Sequence, residues 1–89
     1  MKRQKETTAL KKARGMIEKI LKMVEEDKYC IDIIQQNLAT IGLLKSVNEQ
    51  LLEGHLHCCF KSAMESTDEE RKEEMIQELI KMLRTAQKK

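Results

Sequence analysis

The chain has 89 residues with no proline, three glycines, one tyrosine and one phenylalanine, and 36% of it is charged. This composition excludes a β-rich fold: the strong helix formers Lys, Glu, Leu, Met, Gln and Ala dominate, while Tyr29 and Phe60 stand alone. No run of about 18 apolar residues is available to cross a bilayer. Residues 1–12 carry neither the apolar region nor the cleavage site of a secretory signal, so a cytoplasmic location is expected.

The predicted fold class is all-α, in a single domain over residues 1–89. A chain of this size buries only about 60 to 65% of its unfolded surface, which leaves a monomer marginal unless something staples it. Three cysteines in the cytoplasm are expected as thiols, metal ligands or sensors rather than disulfides. Partner helices are then the natural source of extra burial, and a homodimer or homotetramer is expected.

The net charge of +2 conceals an asymmetry. Residues 1–22 hold eight basic side chains (Lys2, Arg3, Lys5, Lys11, Lys12, Arg14, Lys19, Lys22) against Glu6 and Glu18. Residues 65–78 reverse it, with seven carboxylates (Glu65, Asp68, Glu69, Glu70, Glu73, Glu74, Glu78) against Arg71 and Lys72. Either stretch alone reads as a solvated helix face. Multiplied by the symmetry of an oligomer, the basic stripe becomes a footprint for a polyanion such as DNA.

The first helix is predicted to start at an N-cap on Thr7 or Thr8 and to run to about residue 26, after a disordered arm over residues 1–6. Leu10, Ala13, Ile17, Ile20 and Val24 recur at three- and four-residue steps, the period of an amphipathic helix. Asp27 breaks the pattern and is placed to cap the next helix. The second helix is predicted over residues 29–64, since Gly42 and Gly54 cost only about 1 kcal/mol each relative to alanine. Its apolar positions are Ile34, Leu38, Ile41, Leu44, Val47, Leu51, Leu52, Leu56 and Phe60. Overlapping Ser/Thr-x-x-Glu capping boxes in Ser66-Thr-Asp-Glu-Glu70 predict a third helix start. That helix runs to about residue 85 with Met75, Ile76, Leu79, Ile80, Leu83 and Ala86 on its apolar face, and the last residues fray.

Every cysteine and histidine falls on the second helix: Cys30 near its start, then Gly54-His55-Leu-His57-Cys58-Cys59. An isolated cysteine most often fills a core, but two histidines and two cysteines within five residues favour a soft-metal or redox site. His55 and Cys59, four apart, project from one helix face, as a shared ion requires. Cys30 is the candidate third ligand. It precedes His55 by 25 residues, about 37 Å along a continuous helix, so one chain cannot join them. Two copies of this helix paired antiparallel about a two-fold axis would bring Cys30 of one to His55 and Cys59 of the other. Two thiolates and an imidazole suit Cu(I), with Zn(II) admitted by a fourth ligand. The scattered methionines read as packing.

The segment Met23-Val-Glu-Glu-Asp-Lys-Tyr-Cys30-Ile-Asp-Ile-Ile34 is very similar to the signature of the CsoR/RcnR/FrmR-type metal- and redox-sensing transcriptional repressors of bacteria. Leu51-Leu-Glu-Gly-His55-Leu-His-Cys-Cys59 resembles the second signature of that family. The resemblance covers nearly the whole chain. It implies a three-helix protomer, an antiparallel four-helix-bundle dimer and a disc-like tetramer that binds operator DNA without a helix-turn-helix. The family's ligand pattern falls on Cys30, His55 and Cys59, a set that resembles the copper-sensing branch, in which Cu(I) releases the operator and derepresses copper resistance genes. Tyr29 resembles a tyrosine beside the copper ligands, joined there by a glutamate from the third helix, here Glu74 or Glu78.

Lys11, Lys12, Arg14, Lys19 and Lys45 are the candidate DNA contacts. The family's arginine-rich first helix is diluted here to Lys11-Lys-Ala-Arg-Gly-Met-Ile-Glu-Lys19, and lysine lacks the bidentate geometry of arginine. A copper buffer or chaperone without operator binding is therefore a competing reading, and a thiol- or persulfide-sensing repressor of the same family is another. An enzyme is not expected, because no residue is placed to orient His55 toward a nucleophile.

Overall fold

The computed structural model describes residues 3–87, helical from Gln4 to Gln87 apart from two short connections. Helix α1 spans Gln4–Glu25, α2 spans Cys30–His55, a π-helical turn spans Leu56–Phe60, α3 spans Lys61–Glu65 and α4 spans Glu69–Gln87. The helix predicted over residues 29–64 is thus α2, the π turn and α3 in succession, and the protomer has the three-helix plan expected of it. The chain packs as two compact units, Met1–Leu52 and Glu53–Lys89.

Helix α1 begins three residues before the predicted Thr7 cap, and residues 4–6 of the expected disordered arm are helical; residues 1–2 lie outside the described residues. Thr7 does not cap. Its backbone N–H and its Oγ1 both donate to the Arg3 carbonyl, at 3.0 and 2.9 Å, which places it inside the first turn. Asp27 likewise ends one helix rather than starting the next. It takes a left-handed φ of 54°. Its N–H donates to the Val24 carbonyl at 3.1 Å, and the Lys28 N–H reaches back to the Met23 carbonyl at 2.9 Å. This pair of bonds is the Schellman motif, which satisfies the last carbonyls of α1 and normally recruits glycine.

In the first unit the buried side chains are small or medium: Ala13 on α1, Thr40 and Val47 on α2. Thr40 stays buried because its hydroxyl donates to the Gln36 carbonyl one turn back, at 2.9 Å. The predicted apolar stripe of α2 mostly faces outward. Ile34 is 51% and Leu38 60% exposed, with Ile31, Ile41 and Leu44 also open to solvent. On α1, Leu10, Ile17, Leu21 and Val24 are exposed too. No large side chain is fully buried among the described residues.

In the second unit, Met75 is the buried residue of α4. The turn before α4 is built from Ser66 and Asp68. Ser66 Oγ donates to the Ala63 carbonyl at 2.7 Å and accepts the Asp68 N–H at 3.4 Å. Asp68 Oδ1 accepts the Arg71 N–H at 3.1 Å, so Asp68 is the N-cap of α4. Neither predicted capping box forms: the Ser66 hydroxyl is committed to closing α3, and Asp68 takes the N-cap position that Thr67 would need.

Candidate metal and nucleic-acid sites

Cys30 is the first residue of α2 and His55 the last. Cys30 lies in the first unit, while His55, His57, Cys58 and Cys59 lie in the second. All three cysteines are free and exposed, which overturns the simple reading of cysteine as core filler. Cys30 sits in register with Ile34, Leu38 and Ile41, at steps of four, four and three residues, and so belongs to the exposed apolar stripe of α2.

The π turn changes the surroundings of His55. The Lys61 N–H donates to the Leu56 carbonyl five residues back, as the wider turn requires, and also to the Cys58 carbonyl. A ladder of five-residue steps brings Phe60, rather than a residue four away, over His55. Their ring centroids are 6.5 Å apart with planes tilted by 55°, within the range over which aromatic rings attract. His55 and Phe60 are half-buried, whereas His57, Cys58 and Cys59 are exposed. Sequence periodicity placed Phe60 on a core stripe and missed it as the neighbour of His55. Among the described residues, no three His, Cys, Asp or Glu side chains converge as metal ligands.

Tyr29 is 67% exposed, and its carbonyl accepts the Asp32 and Ile33 N–H groups at 3.0 and 3.2 Å at the head of α2. On α4, Glu74 and Glu78 are one turn apart and both exposed. Glu74 pairs with Arg71 at 3.5 Å, and Glu78 has no ion pair among the described residues.

The candidate DNA contacts Lys11, Lys12, Arg14, Lys19 and Lys45 are all exposed in the first unit. Lys5, Lys12 and Lys19 recur at seven-residue steps and so share one face of α1. Among the described residues the ion pairs fall on α4, Arg71 with Glu74 and Lys72 with Glu69, and no carboxylate neutralises these α1 cations.

An all-helical protomer with soft donors at both ends of one long helix, and a row of exposed cations on the helix before it, has the parts of a ligand-responsive regulator. A model of the metal-sensitive transcriptional repressor family matches residues 2–85, and this chain belongs to that family. Its members are regulatory proteins rather than catalysts. The copper-sensing transcriptional repressor CsoR of Bacillus subtilis is 42% identical over 64 residues, which cover 72% of this chain and 63% of that protein. The copper-sensing transcriptional repressor RicR of Mycobacterium tuberculosis is 42% identical over 57 residues, covering 63% of this chain and 59% of that one. The chain therefore spans somewhat under two thirds of the length of these relatives. The crystal structure of the copper-sensing repressor CsoR with Cu(I) from Geobacillus thermodenitrificans superposes with a TM-score of 0.85 at 33% identity, covering 96% of this chain and 85% of that one.

Proposed function

We propose that this protein is a cytoplasmic Cu(I)-responsive transcriptional repressor: the apo form binds operator DNA, and Cu(I) releases it and derepresses copper resistance genes. The observation that carries this reading is the division of the soft donors between the two ends of α2. Cys30 and His55 stand at opposite ends of α2, about 37 Å apart at 1.5 Å per residue, so in this reading Cys30 joins His55 and Cys59 of a second copy. Two thiolates and one imidazole make a soft, three-coordinate donor set, which fits Cu(I) in ligand type and number. The matched relatives and the superposed structure carry copper-sensing names, which supports the same choice.

The exposed stripe of Ile31, Ile34, Leu38, Ile41 and Leu44 supports an antiparallel pairing of α2 with α2 of another copy. A contiguous apolar face of this kind is a burial site that the protomer leaves open. Because Cys30 is in register with that stripe, the contact that buries the stripe also delivers Cys30 into the interface. Two such dimers make the proposed tetramer, with both units of each chain acting as one functional domain.

In this reading Cys30 and Cys59 hold the metal and His55 completes the set. Tyr29 with Glu74 or Glu78 orients the second nitrogen of the imidazole, as metal-bound histidines generally require. Lys11, Lys12, Arg14, Lys19 and Lys45 neutralise phosphates, whose contacts fix position on the duplex without reading its sequence.

A gel shift with DNA from upstream of the protein's own gene, run with and without Cu(I), tests the proposal. The expected result is a complex of the apo protein that one equivalent of Cu(I) per chain dissolves. Tight Cu(I) binding with no shifted DNA would replace the repressor by a copper buffer.

A further inference from the structure

The proposed copper set leaves one thiol without a task. Cys58 adjoins Cys59, is exposed and free, and lies on the π turn rather than on a regular α-helical segment. We propose that Cys58 and Cys59 form a second, all-sulfur site for trivalent thiophilic centres of the arsenic(III) type, closed within one chain and independent of Cys30 and His55.

The geometry of adjacent residues favours this class of ligand over a disulfide. Neighbouring Cα atoms across a trans peptide are about 3.8 Å apart, whereas a relaxed disulfide prefers about 4.4 to 6.8 Å. The described residues have no cis peptide bond, so Cys58 and Cys59 are too close to bridge each other without distortion. A disulfide between these two neighbours is therefore disfavoured. A single atom inserted between the two sulfurs lengthens the bridge and lets the chelate ring close around an undistorted peptide.

The π turn helps in a second way. An α-helix advances about 100° per residue, and the wider π turn advances less, so consecutive side chains diverge less in direction. Cys58 and Cys59 are the consecutive pair at the middle of that turn. The Lys61 N–H, at the end of the turn, is shared between the Leu56 and Cys58 carbonyls. A trivalent arsenic centre takes thiolates in preference to imidazole, so His55, engaged with the Phe60 ring, is not needed.

Phenylarsine oxide is the probe. Two As–S bonds form, the As–O bond breaks, and the two thiol protons leave with the oxygen as water. Arsenic remains trivalent and no electrons are exchanged.

The experiment incubates the reduced full-length chain with phenylarsine oxide, challenges it with ethanedithiol and reads the intact mass. One phenylarsenic group per chain is expected, with loss of two thiol hydrogens. Cys58→Ala and Cys59→Ala should each lower resistance to the competitor by at least about tenfold, because a single thiol loses the effective concentration of its neighbour. Cys30→Ala should match the parent. Retention by Cys58→Ala with loss in Cys30→Ala would place the dithiol between chains and overturn the proposal. Equal retention by all three variants would overturn it as well. Cu(I) titration of Cys58→Ala provides a separate readout: undiminished copper binding beside lost arsenical binding shows that the arsenical needs Cys58 and copper does not, the two donor sets sharing Cys59.

Discussion

The rings of His55 and Phe60, five residues apart, lie with centroids 6.5 Å apart and planes tilted by 55°, because the helix widens to a π turn between them. The candidate ligand at the end of α2 is thus seated against a hydrophobic ring on its own chain. Phe60 is half-buried, so its truncation removes part of a packed aromatic side chain. Phe60→Ala should destabilise the protein by about 1 to 3 kcal/mol, below the full cost of a buried phenylalanine, and Phe60→Leu should recover most of it. Urea unfolding followed by circular dichroism measures both. No loss in Phe60→Ala would mean that the ring contact contributes nothing to the seat of His55.

The Schellman turn at Asp27 carries an avoidable cost. A non-glycine residue at φ 54° holds its Cβ against the following carbonyl, worth about 1 kcal/mol or somewhat less for aspartate. Asp27→Gly should therefore raise the unfolding free energy by about 0.5 to 1 kcal/mol, and Asp27→Val should lower it. Were Asp27 instead the cap of α2, the glycine variant would be neutral or slightly destabilised, so the order of the two melting temperatures decides.

Asp68 presents the opposite case, a cap that forms where the sequence offered several. Its Oδ1 satisfies the Arg71 N–H, and Ser66 Oγ is occupied with the Ala63 carbonyl. Asp68→Ala should cost about 1 kcal/mol. Thr67→Ala should cost little, although Thr67-x-x-Glu70 is a capping box on paper. Thermal denaturation of the pair distinguishes the assignments, and a larger loss from Thr67→Ala would restore the box.

Helical content and the three-helix plan were legible because α1, α2 and α4 obey the 3.6-residue period and contain no proline. The ends were less legible. Ser, Thr and Asp all accept cap bonds, and only the competition between Ser66 and Asp68 in three dimensions selects one. Asp27 misled for the same reason, since aspartate also tolerates the left-handed conformation that closes a helix. The π turn left no signal at all. Periodicity places Phe60 on the same stripe as Leu52 and Leu56, and only the extra backbone step reveals it as the partner of His55. Clustering marks His55 and Cys59 as candidate soft donors and leaves Cys30 to be added as the remaining cysteine, while the exposure of the Ile34 and Leu38 stripe was legible too, because the second helix is too long for its short neighbours to cover. Thr40 was overlooked as a buried residue, although its spacing of seven from Val47 marks the same face.

The proposed switch separates metal binding from its consequence for DNA. A soft trigonal metal is held chiefly by its thiolates, so His55→Ala should keep appreciable Cu(I) affinity through Cys30 and Cys59, while Cys30→Ala or Cys59→Ala should abolish tight binding. In the proposed site the imidazole is the ligand whose second nitrogen would pass a change outward, to Tyr29 and to Glu74 or Glu78. Regulation is a coupling free energy between metal and DNA sites. Losing that connection should shrink the coupling and leave apo DNA binding intact. Replacing Lys11, Lys12 and Arg14 by alanine should do the reverse, weakening DNA affinity and reducing its salt slope by up to about three while the copper affinity holds. Fluorescence anisotropy on an operator fragment, titrated with Cu(I) at two or more salt concentrations, reads both effects. If copper drives the His55→Ala protein off DNA as fully as the parent, the imidazole is not the link between the two sites.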